Sequence, residues 1–385
     1  MRINVGRISV LLLLCVGIVV LSFCGVGKKV FAGEVFDSLD PLVYPAIHWR
    51  VPNKAVLLAV KCAGKRLVAV GECGMVILSD DDGATWHQGK VPASVTLTAV
   101  YFVTPEKGWA VGHSGIVLHT EDGGETWVKQ LDGIQAAQLA LTAAKAHLQQ
   151  GNVESEALLR RVKEAQLLVE DGADKPFLDL CFENEKNGFI IGAYNLIFRT
   201  EDGGKTWQPW LDHVENPEGL NLYGIGHSGD YFYIAGERGL FLRSSDGGNT
   251  FSSLSTPYQG SYFGLLVYGE NVMVFGLRGN AFWSCDHGNS WQKVEIGVQN
   301  SITSGVQFKE GALFLATQTG GIQVCSDHQG REQTSVKFRQ VSLCDTPSIA
   351  DLTESSQGNL ILVGFEGVTR VINPIKLTER YGEGK

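Results

Sequence analysis

The octapeptides Thr120-Glu121-Asp122-Gly123-Gly124-Glu125-Thr126-Trp127 and Thr200-Glu201-Asp202-Gly203-Gly204-Lys205-Thr206-Trp207 decide how this chain is to be read. Both have the form S/T-x-D-x-G-x-T/S-W/F, an Asp box, and further copies are headed by Asp81, Asp246 and Asp286. Glycine supplies the reversed backbone of a hairpin turn, and the carboxylate accepts the turn's own N–H groups. The aromatic that closes each box (Trp86, Trp127, Trp207, Phe251, Trp291) falls at one register, as expected of a ring packed between neighbouring sheets. An aspartate repeated in every unit reads as a structural device rather than a catalytic one.

Ten residues before each box aspartate stands the glycine of a second turn, as in Val70-Gly71-Glu72-Cys73-Gly74 and Phe275-Gly276-Leu277-Arg278-Gly279. Two weaker copies, Ala316-Thr317-Gln318-Thr319-Gly320 and Val363-Gly364-Phe365-Glu366-Gly367, bring the unit to seven occurrences. Asp327 heads the sixth box, while Pro374 stands where a seventh aspartate would. Each unit reads as four short strands; in the second they are 98–102, 109–111, 116–119 and 127–130. Seven such sheets set radially bury their faces against one another, so the expected fold is all-β, a seven-bladed β-propeller. The last unit lacks a fourth strand, and residues 43–50 are expected to supply it and tie the termini together.

Consecutive box aspartates are 40–44 residues apart except between Asp122 and Asp202, where the gap is 80. Within it, 134–150 and 154–171 carry apolar residues at helical spacing (Leu141, Ala144, Leu148; Leu158, Val162, Ala165), broken by Gly151-Asn152. This predicts an αα-hairpin, 132–175, inserted between blades 2 and 3. Strand order puts it on the face that carries the second-to-third-strand turns, where Arg238, Arg278, Tyr194, Glu72 and Glu366 surround the mouth of the channel. These five, with Arg160 and Arg161 on the hairpin, are the candidate partner-binding residues. Isolated turn arginines are also ordinary solvated side chains.

Residues 1–32 differ from the rest: Arg2 and Arg7 lead into the apolar run 8–23, a signal-peptide pattern with cleavage expected after Ala32. An uncleaved anchor and lipidation of Cys24 are the alternatives, the bulky Phe23 arguing against the latter. The propeller domain is then 33–385, exported to the periplasm. The full chain has a net charge of −9, and the leader holds four cations and no acids, so the mature chain stands at −13. Such a chain is repelled by phosphate backbones, which excludes nucleic acid as a partner. Six cysteines remain (62, 73, 181, 285, 325, 344), without metal-ligand spacing; disulfides and buried free thiols are both open. No nucleotide loop, haem motif or calcium loop is present, so no cofactor is expected.

The paired turn and box at constant offset, over roughly residues 43–372, resemble the photosystem II stability/assembly factor family. That resemblance implies a seven-bladed propeller that holds a subunit of a membrane complex during assembly, with Arg238 and Arg278 where the family places arginines. The hairpin is a departure and is more like the family's non-photosynthetic bacterial members. These imply an accessory role to a transporter of the resistance-nodulation-division (RND) type, with the chain a monomer. The competing class is a glycoside hydrolase, because sialidases share the Asp box and His48-Trp49-Arg50-Val51-Pro52 faintly matches their arginine motif. A sialidase needs three converging arginines, a Tyr/Glu pair and an acid aspartate. Arg50, Arg238 and Arg278 are available, but the Tyr/Glu pair is not found, so the expectation is a protein that is not an enzyme.

Overall fold

The computed structural model describes residues 40–150, 156–325, 338–341 and 347–374. The leader with its cleavage site, Asp327 and Cys344 lie outside the described residues. The repeat becomes seven antiparallel sheets, spanning 57–88, 97–131, 177–209, 222–253, 262–293, 302–341 and 349–371. Six have four strands and, among the described residues, the seventh has three. Within each sheet the strands lie in chain order. In the second sheet they are Leu97–Phe102, Gly108–Gly112, Val117–Thr120 and Val128–Leu131, within a residue or two of the expected bounds. Each sheet's first strand touches that of the next, and Ile349–Glu354 returns to Leu57–Ala63, which closes a ring.

The second strands are buried along nearly their whole length, Gly188–Gly192 and Leu360–Gly364 at every position, because both faces of a sheet are covered by its neighbours. The box aromatics fill the seams. Trp127 packs among Val68 and Leu78 of the first sheet. Phe251 meets Phe189 edge to face at 5.6 Å, and Trp291 meets Phe241 at 5.0 Å. Each such ring contributes about 1.5–3 kcal/mol of burial. The box itself is a closed hydrogen-bond circuit. Asp122 Oδ1 accepts the Thr120 hydroxyl at 2.8 Å and the Thr126 N–H at 2.9 Å, while the Thr120 Oγ1 accepts the Gly124 N–H at 3.0 Å. Burial raises the carboxyl's pKa, but these bonds outweigh it and hold Asp122 below its ordinary value; Asp202, Asp246 and Asp286 behave alike.

The first strands carry a bulge at their start, which turns side chains across the seams. Asp179 accepts N–H bonds from Leu180 and, in the next sheet, from Ile225, both at 2.9 Å. Desolvation pushes its carboxyl up to about 6. Asp351 closes the ring by accepting the Val60 N–H at 2.9 Å and Lys61 Nζ at 3.1 Å. Burial lowers the pKa of Lys61, yet the attraction of Asp351 and Asp179 outweighs it, so the net shift is upward. Gly224 and Gly264 meet at the seam between the fourth and fifth sheets, where a Cβ on Gly224 would stand 3.2 Å from the Gly264 Cα.

Residues 43–50 do not form the closing strand. They run without strand pairing as a strap over the first sheet: Ala46 N–H bonds Val91 O at 3.1 Å, and the Gln88 side chain holds Ile47 O and Trp49 N–H, both at 2.9 Å. Their backbone is thus engaged by the first sheet and is not available to the seventh. Closure comes instead from the Lys61–Asp351 seam and from Asp82. The Asp82 carboxylate, 2% exposed, accepts Asn359 Nδ2 at 2.6 Å and Arg370 Nη2 at 2.9 Å across the ring's junction.

The insertion is two helices, α1 (Gly133–Gln150) and α2 (Glu156–Asp171), between the second and third sheets. α1 starts with a capping box in which Gln135 N–H donates to Asp132 Oδ1 at 3.1 Å and Asp132 N–H donates to Gln135 Oε1 at 3.2 Å. Ala140, Leu141 and Ala165 form the buried contact between the helices, with Ala144 and Val162 packed against it. Cys62, Cys73, Cys181 and Cys285 are free thiols.

Candidate partner-binding face

The turn between second and third strands follows one design in five sheets. Its leading glycine is required by close approach, since a Cβ on Gly71 would fall 2.0 Å from Val56 O and one on Gly112 would fall 2.2 Å from Thr96 O. The residue at the apex then takes a left-handed backbone: Cys73 (φ 51), Ser114 (φ 54), Tyr194 (φ 54), Arg238 (φ 53) and Arg278 (φ 58). An L-residue pays roughly 1–2 kcal/mol for that conformation. Bonds to neighbouring strands hold it. Tyr194 N–H donates to Asn221 Oδ1 at 2.8 Å, and the Arg238 and Arg278 N–H groups donate to Ser261 Oγ and Ser301 Oγ, each at 3.4 Å. In each case the acceptor sits at the entrance to the next sheet, so these three consecutive turns are each tied to the sheet that follows.

Because the backbone is fixed, the apex side chains project from the face. Tyr194 is 65% exposed, with Lys175 Nζ lying 4.9 Å over its ring. The Arg238 guanidinium bonds Glu218 at 2.7 Å, an exposed pair worth about 0–1 kcal/mol that a ligand carboxylate can displace. Arg278 is exposed, and its guanidinium has no side-chain partner among the described residues. Glu366 is exposed at the equivalent turn of the seventh sheet, beside Phe365 at 63%. Glu72 lies one residue before an apex, where its carboxylate accepts the Val56 N–H at 3.2 Å and braces the turn. Glu237 does the same for Asn221 N–H.

Arg160 and Arg161 serve the hairpin. Arg160 pairs with Glu164 on its own helix at 2.7 Å. Arg161 pairs with Asp212, which His147 Nδ1 of α1 also reaches at 2.5 Å, so both helices are clasped to the turn Leu211–His213 behind the third sheet. Gly133, at the start of α1, packs against the Ser114–Gly115 apex, placing the hairpin's root on the turn face. Between α1 and the third Asp box lies an open cavity of about 620 Å³ lined by Leu131, Ile134, Leu139, Val169 and Trp207 among others. Sequence reasoning missed Lys175, Phe365 and Glu237. The X position of the G-x-X-G turn is the signal that finds Cys73 and Ser114, and its x position the signal for Glu237 and Phe365, whereas Lys175 reaches Tyr194 from another part of the chain.

The family model described as Photosynthesis system II assembly factor YCF48 matches residues 78–154 and 160–367. A photosystem II assembly lipoprotein Ycf48 of Synechococcus sp. (strain CC9902) is 29% identical over 163 residues, 40% of this chain and 49% of its own. The chain thus spans about half the length of that relative. Among solved structures, YCF48 bound to D1 peptide superposes with a TM-score of 0.58 at 16% identity, covering 85% of this chain and 98% of that one. A Niastella koreensis GH74 enzyme gives the same TM-score at 12% identity, covering 83% of this chain and 53% of its own, and shares the propeller fold alone. With the family model spanning most of the sheets and both helices, the chain belongs to the photosystem II assembly factor YCF48 family.

Proposed function

We propose that this protein is a non-catalytic, exported seven-bladed propeller that binds an extramembrane peptide segment of a membrane protein while that protein's complex is assembled. The observation that carries the reading is the row of three consecutive apex residues, each tied to the following sheet, which presents Tyr194, Arg238 and Arg278 on one face while the backbone beneath is fixed. Two guanidiniums and an aromatic suit a peptide carboxylate with an apolar neighbour. The relative solved with a D1 peptide supports a peptide ligand. Seven sheets in a closed ring are read as seven blades, and the hairpin as an insertion between the second and third, adding a rim to the same face. The hairpin favours a partner among RND-type transporters, as in the non-photosynthetic branch that it resembles.

The test is capture of membrane proteins from the host by the purified chain. Charge reversal at Arg238→Glu and Arg278→Glu is expected to abolish capture without lowering the Tm, since both side chains are exposed. Unchanged capture would refute the site. The glycosidase reading is tested on fluorogenic sialosides and glucosides, where turnover lost in Arg238→Ala would overturn the non-catalytic one.

A further inference from the structure

The large apolar side chains left exposed among the described residues are not spread evenly. Apart from Val128 on an outer strand and Ile372 after the last strand, they lie on the hairpin, on the turns or on the strap. The strap holds the densest group: Val43 (59% exposed), Tyr44 (49%), Ile47 (63%), Trp49 (38%) and Val51 (52%) within nine residues. Folding that buries a core does not leave five such side chains in one short segment without a second use for them.

The strap's backbone is firmly held while its side chains are free. Ala46, Ile47 and Trp49 are fixed to Val91 and Gln88, and Ser94 N–H bonds Pro41 O at 2.8 Å. The Ala46 Cβ would stand 3.0 Å from a Cβ on Gly74, so the strap lies beside the apex of the first sheet, on the turn face. Tyrosine and tryptophan among aliphatics, followed by exposed Arg50 and Lys54, make the composition of a membrane–water interface. The opposite face carries the Asp boxes and exposed carboxylates such as Asp81, Glu121, Glu201 and Asp246, which an anionic surface repels.

We propose that residues 43–51 are a bilayer-contact surface that lays the turn face against a membrane. Val43, Tyr44, Ile47 and Trp49 enter the headgroup region, and Arg50 and Lys54 meet phosphates at its edge. This turns Arg238 and Arg278 toward segments that emerge from the same membrane and keeps the acidic face in solution. The proposal stands apart from the peptide reading, since its test contains no protein partner.

Of the eight tryptophans, only Trp49 is exposed, so it is a native reporter. The full chain is added to phosphatidylcholine vesicles with acyl chains brominated near the headgroup, and emission is compared with that in unbrominated vesicles. Bromine is expected to quench wild type, and the difference to vanish in Trp49→Phe. In the double variant Tyr44→Ser/Ile47→Ser, whose side chains are exposed and whose unfolding midpoint stays unchanged, the ratio of docked to free strap falls roughly tenfold or more. Equal quenching in wild type and Trp49→Phe overturns the proposal. So does Trp49 shielding that appears without vesicles as protein concentration rises, which assigns the strap to contact between copies.

Discussion

Asp82→Gly removes a ring-closing side chain and leaves the backbone able to keep its shape. Asp82 sits at a positive-φ position (φ 62) where the second, third and fourth boxes carry Gly123, Gly203 and Gly247 at φ 69–76. Its carboxylate, almost fully buried, is the shared acceptor of Asn359 Nδ2, Arg370 Nη2 and, at 3.2 Å, the Gln357 N–H. Removing it strands a partly buried guanidinium and two amide donors, which costs about 3–5 kcal/mol, while glycine regains up to about 1 kcal/mol of backbone strain. The net loss of about 3 kcal/mol lowers the Tm by about 5 °C in a chain of this size. Thermal unfolding followed by tryptophan emission measures it. Burial raises the Asp82 pKa, but the bonds from Ser355, Asn359 and Arg370 outweigh it, and the net shift is downward. A depressed folded pKa gives stability that is present above the ordinary carboxylate value and lost as pH falls through the folded value, so the two proteins converge in strong acid. A Tm within about 1 °C of wild type at neutral pH would show that the first and seventh sheets are held by apolar packing and the Asp351 bonds, with no measurable part for Asp82.

Asp179 gives the opposite pH dependence. Burial raises its carboxyl to about 6, so its folded form binds a proton more readily than the unfolded chain does. Relative to Asp179→Asn, wild type therefore gains stability as the solution goes from about pH 7 to about pH 5, read as a rise in urea midpoint; a flat difference refutes the burial. Asp212→Ala frees Arg161 and His147 together, and is expected to speed amide exchange in both helices while the Tm stays within about 1 °C, as for a surface pair. Asp122→Ala opens one Asp box and costs about 1–2 kcal/mol by chemical denaturation, with no change in partner capture; loss of capture at full stability would move function to the box face.

The sheets were legible because the repeat writes them seven times, and every copy of the glycine turn and the box adds to the same register. The hairpin was legible because a gap of 80 residues cannot be spanned by one more loop and its apolar spacing changes period. What the sequence concealed is what happens once only. Residues 43–50 alternate poorly and hold Pro45, yet nothing local states that their hydrogen bonds go to Gln88 and Val91 rather than to a seventh sheet. Asp82 looked like the third member of an acidic run, and its partners lie 277 and 288 residues away. Arg161 looked available for a partner, and its charge is spent on Asp212. Of the seven candidate residues, Tyr194, Arg238, Arg278 and Glu366 are the ones displayed on the turn face, whereas Glu72, Arg160 and Arg161 are engaged by carboxylate or backbone partners of the chain itself.

The apex of each glycine turn has a consequence for how such a protein changes over time. Cys73, Ser114, Tyr194, Arg238 and Arg278 hold one backbone conformation with four different side-chain chemistries, because glycine and strand carbonyls, not the apex side chain, shape the turn. These positions work as a dial whose letters can be replaced while the mechanism behind it stays untouched. On the proposed partner-binding reading, recognition shifts from one client to another by single exchanges at these positions, and a library varied at those five sites alone would explore new partners on an unchanged frame.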